Sequence, residues 1–407
     1  MATPTGPRLR LLLGAFGDPG HAFPMIALGR ELAARGHEVT LQTWRRWAEP
    51  VGAEGMAFVA APEYHEHRNG GEPLKPYAAV QRAAAETQEL VEQVRPHAVV
   101  ADILTLAPAL AGERAGAPVA TLIPHVHPAT GPGFASYSMG ARLPRSDLGR
   151  RLWAAAEKPM ASGLRQGRDE LNETRNRLGL PALEHFHAGI SRDLALVASF
   201  PQLEYPRPWP SQTHVVGPLM WEPPAADTPI PPGEGPLVLI APSTSQDPDH
   251  VLLRAALTAL ADLPVRVLAT WNGRPPRRPL PHPANAQLVD WVRYSTTMPH
   301  CDVVICHAGH GTVVRAMSSG ATVLACPAAG DMNENAARVD WAGVGVRLPR
   351  RYVTTRSLRL AIERLLSKPE LARRSQMLAA WGAAHPGPAR AADLVEGLAR
   401  RQSPSPA

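Results

Sequence analysis

The sequence is poor in cysteine, lysine and aromatic residues, and each shortage excludes a class of protein. Three cysteines occur in 407 residues, and Cys301, Cys306 and Cys326 lack CxxC spacing, so we expect buried free thiols in a reducing cytoplasm. Lysine occurs only three times, so arginine carries nearly all of the positive charge behind the net charge of +6. No basic run is interleaved with aromatic residues, so no nucleic-acid groove is expected.

The chain also lacks an uninterrupted apolar run of about 18 residues, so no membrane-spanning helix is expected. The start of the chain places Arg8 and Arg10 before a short apolar run without a small-residue cleavage site, which favours a first strand over a signal peptide. Hydrophobic residues make up 44% of the chain, enough for large cores, and the length suggests two domains.

Apolar runs alternate with helical periodicity along most of the chain, which is typical of parallel sheets covered by helices. In the first half the pattern predicts strands over 9–15, 37–44, 98–102, 118–124 and 193–200, and helices over 24–35, 107–115 and 151–178, and residues 214–217 end this half. In the second half it predicts strands over 237–242, 265–271, 286–292, 302–307 and 322–327, and helices over 249–262, 312–319, 334–342 and 355–367.

Prolines make residues 221–236 an extended linker that cannot form a helix or a central strand. We therefore predict an α/β protein with two doubly wound, Rossmann-like domains facing each other across a cleft. The domains are expected over 1–217 and 237–385, joined by a linker at 218–236, with a helix in 386–407 that returns to the first domain. Ligands of such sheets bind beyond the carboxyl ends of the strands, so function is expected in the cleft.

The segment DVVICHAGHGT is the most informative stretch, because a strand that ends in a small-residue turn opens directly into a helix. Free backbone N–H groups and the positive helix end favour an anion there, and a diphosphate fits best. His307 and Thr312 add donors to this turn. A glycine-rich turn without a ligand is an equally good interpretation of the stretch alone. His307 and His310 straddle the turn with no carboxylate nearby, so a metal pair is disfavoured.

Two residues at the cleft edge of the first domain suggest acid–base chemistry. His21 stands in a Gly/Pro loop after the first strand, and an imidazole there can act as a general base near neutral pH. Asp102 ends the strand AVVAD at the same edge, where a carboxylate can fix the tautomer of His21. The alternatives are a surface or capping histidine and an aspartate that caps the following helix.

Together these positions resemble family 1 glycosyltransferases with the GT-B fold, in particular bacterial enzymes that decorate natural products. The resemblance rests on GHAFP, VVADI, the linker, HAGHGT and PAAGDMNENAARV, and runs over nearly the whole chain. It implies that His21 deprotonates the acceptor and that Asp102 supports it. Some antibiotic enzymes use aspartate in place of this histidine, but alignment on Pro24 places His21 at that position and leaves Asp18 outside it.

The resemblance also implies a donor site in the second domain. Trp291 would stack on the nucleobase, with backbone contacts from Val292, although a core tryptophan is the alternative. Asp331 would hold sugar hydroxyls. Met332 stands where glutamine is usual and a thioether cannot replace an amide, so a deoxysugar donor or a substitute contact from Asn333 is considered. The diphosphate would contact Ser243, Thr244, His307, Gly309 and Thr312.

Asp247, Pro248 and Asp249 imitate the DxD motif of metal-dependent glycosyltransferases, which have a different fold. Here the motif follows a Ser/Thr turn and precedes a predicted helix. We therefore predict that Asp247 is the N-cap and Pro248 the first helical residue, and that no metal ion or other cofactor is needed.

Acceptor contacts are expected from the irregular parts of the first domain, 62–80 and 125–150, because only these can surround an oxygen beside His21. The candidates either line the cleft or pack on their own domain: His125, His127, Phe134, Tyr137 and Met139. Their apolar surface, together with the resemblance, suggests an aromatic or polyketide acceptor.

The prediction is an inverting transfer of a sugar from a UDP- or dTDP-sugar to a small hydrophobic acceptor in the cytoplasm. The alternatives are a sugar-nucleotide epimerase, which would need acid–base carboxylates around the sugar, and a nucleotide-sugar binding protein without a base. The expected partners are the two small-molecule substrates, without nucleic acid or an integral membrane contact, and a homodimer is left open.

Overall fold

The computed structural model of the chain describes residues 7–62, 76–129, 131, 133–185, 187, 189–243 and 247–401. In these residues two parallel sheets are joined by residues 218–236, which contain neither helix nor strand. This is the α/β class with two doubly wound domains that the alternating pattern predicts.

The first sheet has seven parallel strands in the order β3-β2-β1-β4-β5-β6-β7. Its strands are β1 (Arg10–Gly14), β2 (Glu38–Thr43), β3 (Ala57–Ala60), β4 (Ala98–Asp102), β5 (Val119–Ile123), β6 (Leu194–Val197) and β7 (Thr213–Val215). The helices between them are α1 (Pro19–Ala34), α2 (Ala48–Ala53), α3 (Pro76–Val94), α4 (Leu106–Arg114) and α5 (Asp147–Arg177).

The second sheet has six parallel strands in the order β10-β9-β8-β11-β12-β13. Its strands are β8 (Leu237–Ala241), β9 (Arg266–Thr270), β10 (Ala286–Val289), β11 (Val303–Cys306), β12 (Thr322–Ala325) and β13 (Gly345–Arg347). The helices of this half are α6 (Val251–Leu260), α7 (Tyr294–Thr297), α8 (His310–Ser318), α9 (Asp331–Ala342), α10 (Thr355–Leu366), α11 (Pro369–Ala384) and α12 (Gly387–Arg401).

The central strands are buried on both faces, as expected where helices cover both sides of a parallel sheet. In β8 and β11 every residue is buried. The two edge strands that the apolar pattern misses, β3 and β13, have four and three residues and are mostly half-buried. Their short and partly exposed sequences carry too little hydrophobic signal to be recognised.

The last helix, α12, packs on the first domain. Val395 and Leu398 are buried in the same apolar cluster as strand β1 and helix α1, and each such side chain contributes about 1.5–3 kcal/mol when fully buried. Arg35 of α1 donates hydrogen bonds to Asp393 at 2.6 Å and Glu396 at 2.9 Å. Helix α12 therefore belongs structurally to the first domain, although it follows the second domain in the sequence.

Helix α1 begins earlier than the sequence pattern predicts. Pro24 suggests the first turn, but Pro19 occupies that place, with Asp18 before it in extended backbone, and Pro24 lies inside the helix. The prediction that His21 stands in a loop is therefore wrong. His21 belongs to the first turn of α1, which gives its backbone a fixed position relative to β1.

Candidate active site

The candidate site lies where the strand order of each sheet reverses. β1 is hydrogen-bonded to β4, and β8 to β11, so the connecting helices leave in opposite directions from these pairs. Such switch points open a crevice beyond the carboxyl ends of the strands. His21 and Asp102 stand at the first crevice, and Ser243 and His307 at the second.

His21 and Asp102 form a hydrogen-bonded pair. Nδ1 of His21 lies 2.8 Å from Oδ1 of Asp102, and the two side chains are 18% and 1% exposed. The second carboxylate oxygen accepts a hydrogen bond from the backbone N–H of Phe16 at 3.2 Å. Because the carboxylate holds the proton on Nδ1, Nε2 is left as the basic atom of the imidazole.

The surroundings of His21 raise its pKa above the ordinary value. Burial by itself lowers the pKa of the imidazole, but the hydrogen bond to Asp102 and the charge of that carboxylate outweigh this effect. Asp18 and Asp331 add smaller contributions in the same direction. Asp331 belongs to the second domain, so the two halves of the cleft are close enough for its charge to act on His21.

Aromatic side chains hold the segment that leads into His21. Phe16 meets the imidazole edge-on with ring centroids 5.9 Å apart, and its other neighbour is Trp44 at 5.0 Å. A Cβ atom at Gly17 would lie 2.0 Å from the Trp44 ring, so only glycine fits there. The indole N–H of Trp47 donates to the Gly17 carbonyl at 2.8 Å. These contacts fix the backbone between β1 and α1.

The turn between β11 and α8 matches the geometry of an anion site. Ala308 adopts φ 61°, an uncommon backbone conformation for alanine, and is fully buried. A Cβ atom at Gly309 or Gly311 would meet no atom within 4 Å, so packing within the protein does not require glycine at either position. Open space at two glycines beside a helix N-terminus leaves room for a ligand to approach the backbone.

His307 stands at this turn as a neutral donor. Its Nδ1 accepts a hydrogen bond from the backbone N–H of Ser243 at 2.9 Å, so the ring proton lies on Nε2. Burial lowers its pKa to about 4, although the carboxylate of Asp247 acts in the opposite direction. The sequence places Ser243 and His307 far apart, and the fold brings them into direct contact.

The side chain of Asp247 caps helix α6, but the prediction that Asp247 is the N-cap residue is wrong, because His250 holds that position. The Asp247 carboxylate accepts hydrogen bonds from the backbone N–H groups of Val251 at 2.9 Å and Leu252 at 3.1 Å. The predicted start of the helix is also wrong. Helix α6 begins at Val251, preceded by His250 with φ 53°, so Pro248 lies outside it. A carboxylate that satisfies two helix donors stabilises α6.

The residues expected at the nucleobase differ in exposure. Trp291 is 45% exposed, so the alternative of a core tryptophan is wrong and its ring is accessible. Val292 is buried in the core of the second domain. Thr312 is half-buried in the first turn of α8. Thr244 lies outside the described residues, as do 63–75 of the expected acceptor segment.

The first turn of α9 contains Asp331, Met332 and Asn333, all half-buried. The segment 133–146 of the first domain lies against this turn. A Cβ atom at Gly140 would come within 2.4 Å of the Asn333 carbonyl oxygen. Tyr137 and Met332 pack against the same apolar cluster of the second domain. The first-domain segment that is expected to contact the acceptor therefore lies against the first turn of α9, which is expected to contact the sugar.

His125 and Tyr137 lie next to His21. The rings of His21 and His125 are 6.4 Å apart, and Tyr137 stacks on His125 at 5.4 Å. Nδ1 of His125 lies 2.7 Å from the Val126 carbonyl oxygen and 3.0 Å from the Tyr137 hydroxyl. Since a carbonyl can only accept, Nδ1 carries the proton. Burial lowers the pKa of His125, so the ring is neutral.

The other predicted acceptor residues have different surroundings. His127 is only 6% exposed and meets Trp209 edge-on at 5.4 Å, so the expectation that it opens to the cleft is wrong. Phe134 packs edge-on against Tyr205 at 6.1 Å, which is the alternative of packing on its own domain. Met139 is 55% exposed and retains apolar surface for a ligand.

Neither a metal site nor a membrane span is found in the described part of the chain. No cluster of three or more His, Cys, Asp or Glu side chains there is arranged to hold a metal ion. No helix there is long and apolar enough to cross a bilayer.

The three cysteines are buried free thiols, as predicted, and burial raises the pKa of each.

Two protein-family models match the chain, one in each half. The glycosyltransferase family 28 N-terminal domain matches residues 11–121, and the C-terminal domain of erythromycin biosynthesis protein CIII-like proteins matches residues 254–398. The first contains His21 and Asp102, and the second contains the α8 turn and α9.

Characterised relatives and solved structures match nearly the whole chain. A 4'-demethylrebeccamycin synthase of Lentzea aerocolonigenes is 28% identical over 96% of this chain and 99% of its own. An O-mycaminosyltylonolide 6-deoxyallosyltransferase of Streptomyces fradiae is 28% identical over 95% and 97%. The kitacinnamycin glycosyltransferase structure superposes with a TM-score of 0.74 at 22% identity, covering 97% of this chain and all of that chain.

A further solved structure, glycosyltransferase VinC in complex with dTDP, superposes with a TM-score of 0.71 at 19% identity over 97% of this chain and all of that one. Identity at this level establishes the shared fold. The domain models, the relatives and the two facing parallel sheets agree with the resemblance found in the sequence. The chain is a glycosyltransferase of the GT-B fold, of the type that acts in antibiotic and natural-product biosynthesis.

Proposed function

We propose that this glycosyltransferase moves a sugar from a nucleoside-diphosphate sugar to a small hydrophobic acceptor, with inversion at the anomeric carbon and His21 as general base. The observation that carries the proposal is the His21–Asp102 pair at 2.8 Å in the first domain. The first turn of α9, which contains Asp331, lies against the first domain at Gly140. A base and a sugar-holding carboxylate on opposite sides of one crevice are what direct displacement requires.

In the proposed reaction, Nε2 of His21 takes the proton of the acceptor hydroxyl. The acceptor oxygen then forms a bond to the anomeric carbon while the bond from that carbon to the diphosphate oxygen breaks. Attack from the side opposite the leaving group inverts the configuration. The imidazolium that results is stabilised by Asp102 and returns its proton to solvent.

Negative charge builds on the departing diphosphate, so donors that are already oriented matter most. The backbone N–H groups at the start of α8, the Nε2–H of His307 and the hydroxyl of Thr312 are assigned to this charge. Ser243 shares the contact through its hydrogen bond to His307. With these donors we expect no metal requirement, and excess chelator should leave the turnover unchanged.

For the donor, we favour a dTDP- or UDP-linked deoxysugar. The nucleobase is assigned to the exposed ring of Trp291 and the backbone of Val292. Asp331 is assigned to sugar hydroxyls. Met332 offers only apolar surface where a hydroxyl would need an amide. The relative from Streptomyces fradiae is named a 6-deoxyallosyltransferase, and the structural neighbour VinC was solved with dTDP, which supports this choice.

For the acceptor, we favour an aromatic or polyketide molecule bound between His21 and the segment 133–146. Tyr137 and His125 supply ring faces there, and Met139 supplies exposed apolar surface. Asn333 at the tip of α9 is assigned to the sugar that this acceptor must meet. Burial lowers the pKa of His125, and a neutral imidazole avoids the cost of removing a charge from water when an apolar acceptor covers it.

The test is a panel of donors and acceptors analysed by mass spectrometry. UDP- and dTDP-linked glucose and 6-deoxyglucose are each combined with aromatic, polyketide and free-sugar acceptors. Glycosides of apolar acceptors, formed best from the deoxysugar, are the expected products, and nuclear magnetic resonance of their anomeric protons should show the inverted configuration. Preference for a free-sugar acceptor or retention at the anomeric carbon would contradict the proposal, and epimer formed without acceptor would favour an epimerase.

A further inference from the structure

A buried ionic cluster joins the two domains at helix α9. Arg338 is 1% exposed, although arginine is rarely buried to this degree without partners. Its guanidinium donates to Glu334 in its own helix at 2.8 Å and to the Leu203 carbonyl of the first domain at 3.0 Å. It also lies 3.3 Å above the ring of Tyr205. Arg338 thus belongs to the second domain by sequence but is buried by the first.

The partner of Arg338 in the first domain is Glu204. Its carboxylate lies 3.7 Å from the Arg338 guanidinium, accepts a hydrogen bond from Arg207 at 3.0 Å, and is 3% exposed. The second carboxylate oxygen accepts from the backbone N–H of His127 at 2.7 Å. Because His127 follows His125 by two residues, this carboxylate connects α9 with the segment that carries the His125 ring beside His21.

Such a cluster is a poor source of stability. Removing arginine and glutamate from water costs several kcal/mol per ion, and well-packed apolar residues of similar volume often stabilise a protein more. What buried ion pairs provide is a fixed geometry, since a one-residue shift would leave charges unpaired. Glu334 stands three residues after Asp331 in α9. The cluster therefore fixes the helix that begins with the proposed sugar-binding residues.

The turn between β11 and α8, to which the diphosphate is assigned, has contacts of its own with the rest of the molecule. His310 at the start of α8 donates from Nε2 to the Ala198 carbonyl at 3.2 Å. At the other end of the helix, Arg315 donates to the carbonyl of Trp221 in the linker at 3.0 Å. Helix α9 also contacts this turn directly, because the side-chain amide of Asn335 donates to the Ala308 carbonyl at 2.9 Å. Glu204 is hydrogen-bonded to His127 and Arg207 instead, so a change at Glu204 should leave the diphosphate site in place.

We propose that Glu204 and Arg338 form a latch that sets the distance between the sugar-binding turn of α9 and the acceptor side of the cleft. This inference rests on the proposed function. With the latch closed, the acceptor oxygen beside His21 is the group nearest the anomeric carbon. With the latch open, water reaches that carbon as well, and the donor is hydrolysed to free sugar and nucleoside diphosphate.

The latch is tested with Glu204→Gln, Arg338→Lys and Arg338→Met. Glutamine keeps the acceptor for His127, lysine keeps the charge without the planar fork, and methionine removes the charge. The matched control is Arg359→Met, which breaks an exposed i,i+4 pair with Glu363 of the same type as Arg338 with Glu334. The measured quantities are glycoside and free sugar formed from UDP- and dTDP-glucose, and the affinity for UDP and dTDP alone.

We expect the ratio of transfer to hydrolysis to fall about tenfold or more in each latch variant, because a displacement of about 1 Å can cost a hundredfold in rate. Affinity for UDP and dTDP should stay within about twofold in Glu204→Gln, because this substitution does not touch the hydrogen bond between Asn335 and Ala308, and Arg359→Met should resemble the wild type. Arg338→Lys should be affected less than Arg338→Met. An unchanged ratio, or equal losses of transfer and hydrolysis that follow the folded fraction, would overturn the latch.

A measurement without turnover separates this inference from the proposed function. Spin labels are placed on Arg30→Cys in α1 and Arg364→Cys in α10, both exposed, while the three native cysteines are buried. Pulsed dipolar spectroscopy should give a narrow distance distribution in the wild-type background and a broader one with Arg338→Met or Glu204→Gln. Equal widths would overturn the latch. A narrow wild-type distribution with no glycosyl transfer from any donor would instead overturn the proposed function.

Discussion

The two sides of the cleft are built in different ways. On the donor side, the groups assigned to the diphosphate include backbone N–H groups at one strand-to-helix turn, where a Cβ atom at Gly309 or Gly311 would meet no protein atom within 4 Å. On the acceptor side, the positions are side chains from separated segments, such as His21 in α1 and Tyr137 between β5 and α5. A backbone site depends on a short local motif, whereas a side-chain site depends on how distant segments pack.

The two sides of the cleft are therefore expected to respond differently to amino-acid substitutions. A backbone donor is removed only by substitution with proline, and other substitutions weaken it only if the added side chain blocks access to it. A side-chain group such as His21 is removed completely by one substitution. The largest effects are therefore expected on the acceptor side at the base, and intermediate effects where a glycine of the donor turn is filled.

The sharpest test of the acceptor side is His21→Ala. Without Nε2 the acceptor proton has no base, and general base catalysis contributes about 10²–10⁴-fold, so transfer should fall by about a thousandfold. Binding of UDP or dTDP, measured by calorimetry, should be unchanged because the diphosphate site lies in the other domain. His282→Ala, an exposed histidine, is the matched control. Near-normal turnover of His21→Ala would reject the base.

Asp102→Asn should lower transfer by about a hundredfold, since the amide no longer stabilises the imidazolium or holds the tautomer. The pH profile gives the specific readout. His21 must be neutral to accept a proton, so activity rises with pH through its pKa. Asp102 raises that pKa against the effect of burial, so its removal should move the acidic limb to lower pH. A limb that stays in place, or moves to higher pH, would contradict the pairing.

The same contrast explains what the sequence could predict. The strand over 98–102 is observed at Ala98–Asp102, because all five residues are buried and apolar up to the terminal carboxylate. The α8 turn was recognisable because small residues between a strand and a helix are a local signal. The contact between Ser243 and His307 needs two neighbouring strands, and only the resemblance had grouped these residues.

Other features depend on tertiary packing that no local pattern encodes. His127 and His125 are two residues apart, yet only His125 lies beside His21, because Glu204 and Trp209 enclose His127. The start of α1 was misplaced because two prolines compete for its first turn. Arg338 follows a helical pattern in which arginine is usually exposed, and its burial requires the first domain.

Gly309→Ala tests the donor side without disturbing the fold. Gly309 has φ −57° and ψ 134°, which alanine adopts readily, and its Cβ would meet no protein atom within 4 Å. The free energy of unfolding should therefore change by less than about 0.5 kcal/mol. Affinity for UDP and dTDP should fall by about tenfold, because the methyl group occupies the space through which the diphosphate reaches the backbone.

The control for Gly309→Ala is Gly163→Ala in α5, where an added Cβ is also free of contacts. This substitution should stabilise the helix by up to about 1 kcal/mol and leave nucleotide affinity unchanged. If Gly309→Ala binds UDP and dTDP as well as the wild type does, the open space at the turn does not accommodate a diphosphate. Diphosphate binding by the backbone of the α8 turn would then be rejected.

The smallest effect is expected for Tyr137→Phe. The hydroxyl lies 3.0 Å from Nδ1 of His125, but this nitrogen also donates to the Val126 carbonyl at 2.7 Å, so the imidazole keeps its tautomer without the tyrosine. The stacked ring remains, and a single neutral hydrogen bond contributes about 0.5–1.5 kcal/mol. The acceptor KM should therefore rise about two- to tenfold, with kcat and donor KM nearly unchanged. A change in donor KM of similar size would contradict this expectation. It would mean that Tyr137 also positions the donor, through its packing near Met332, so that one side chain acts on both sides of the cleft.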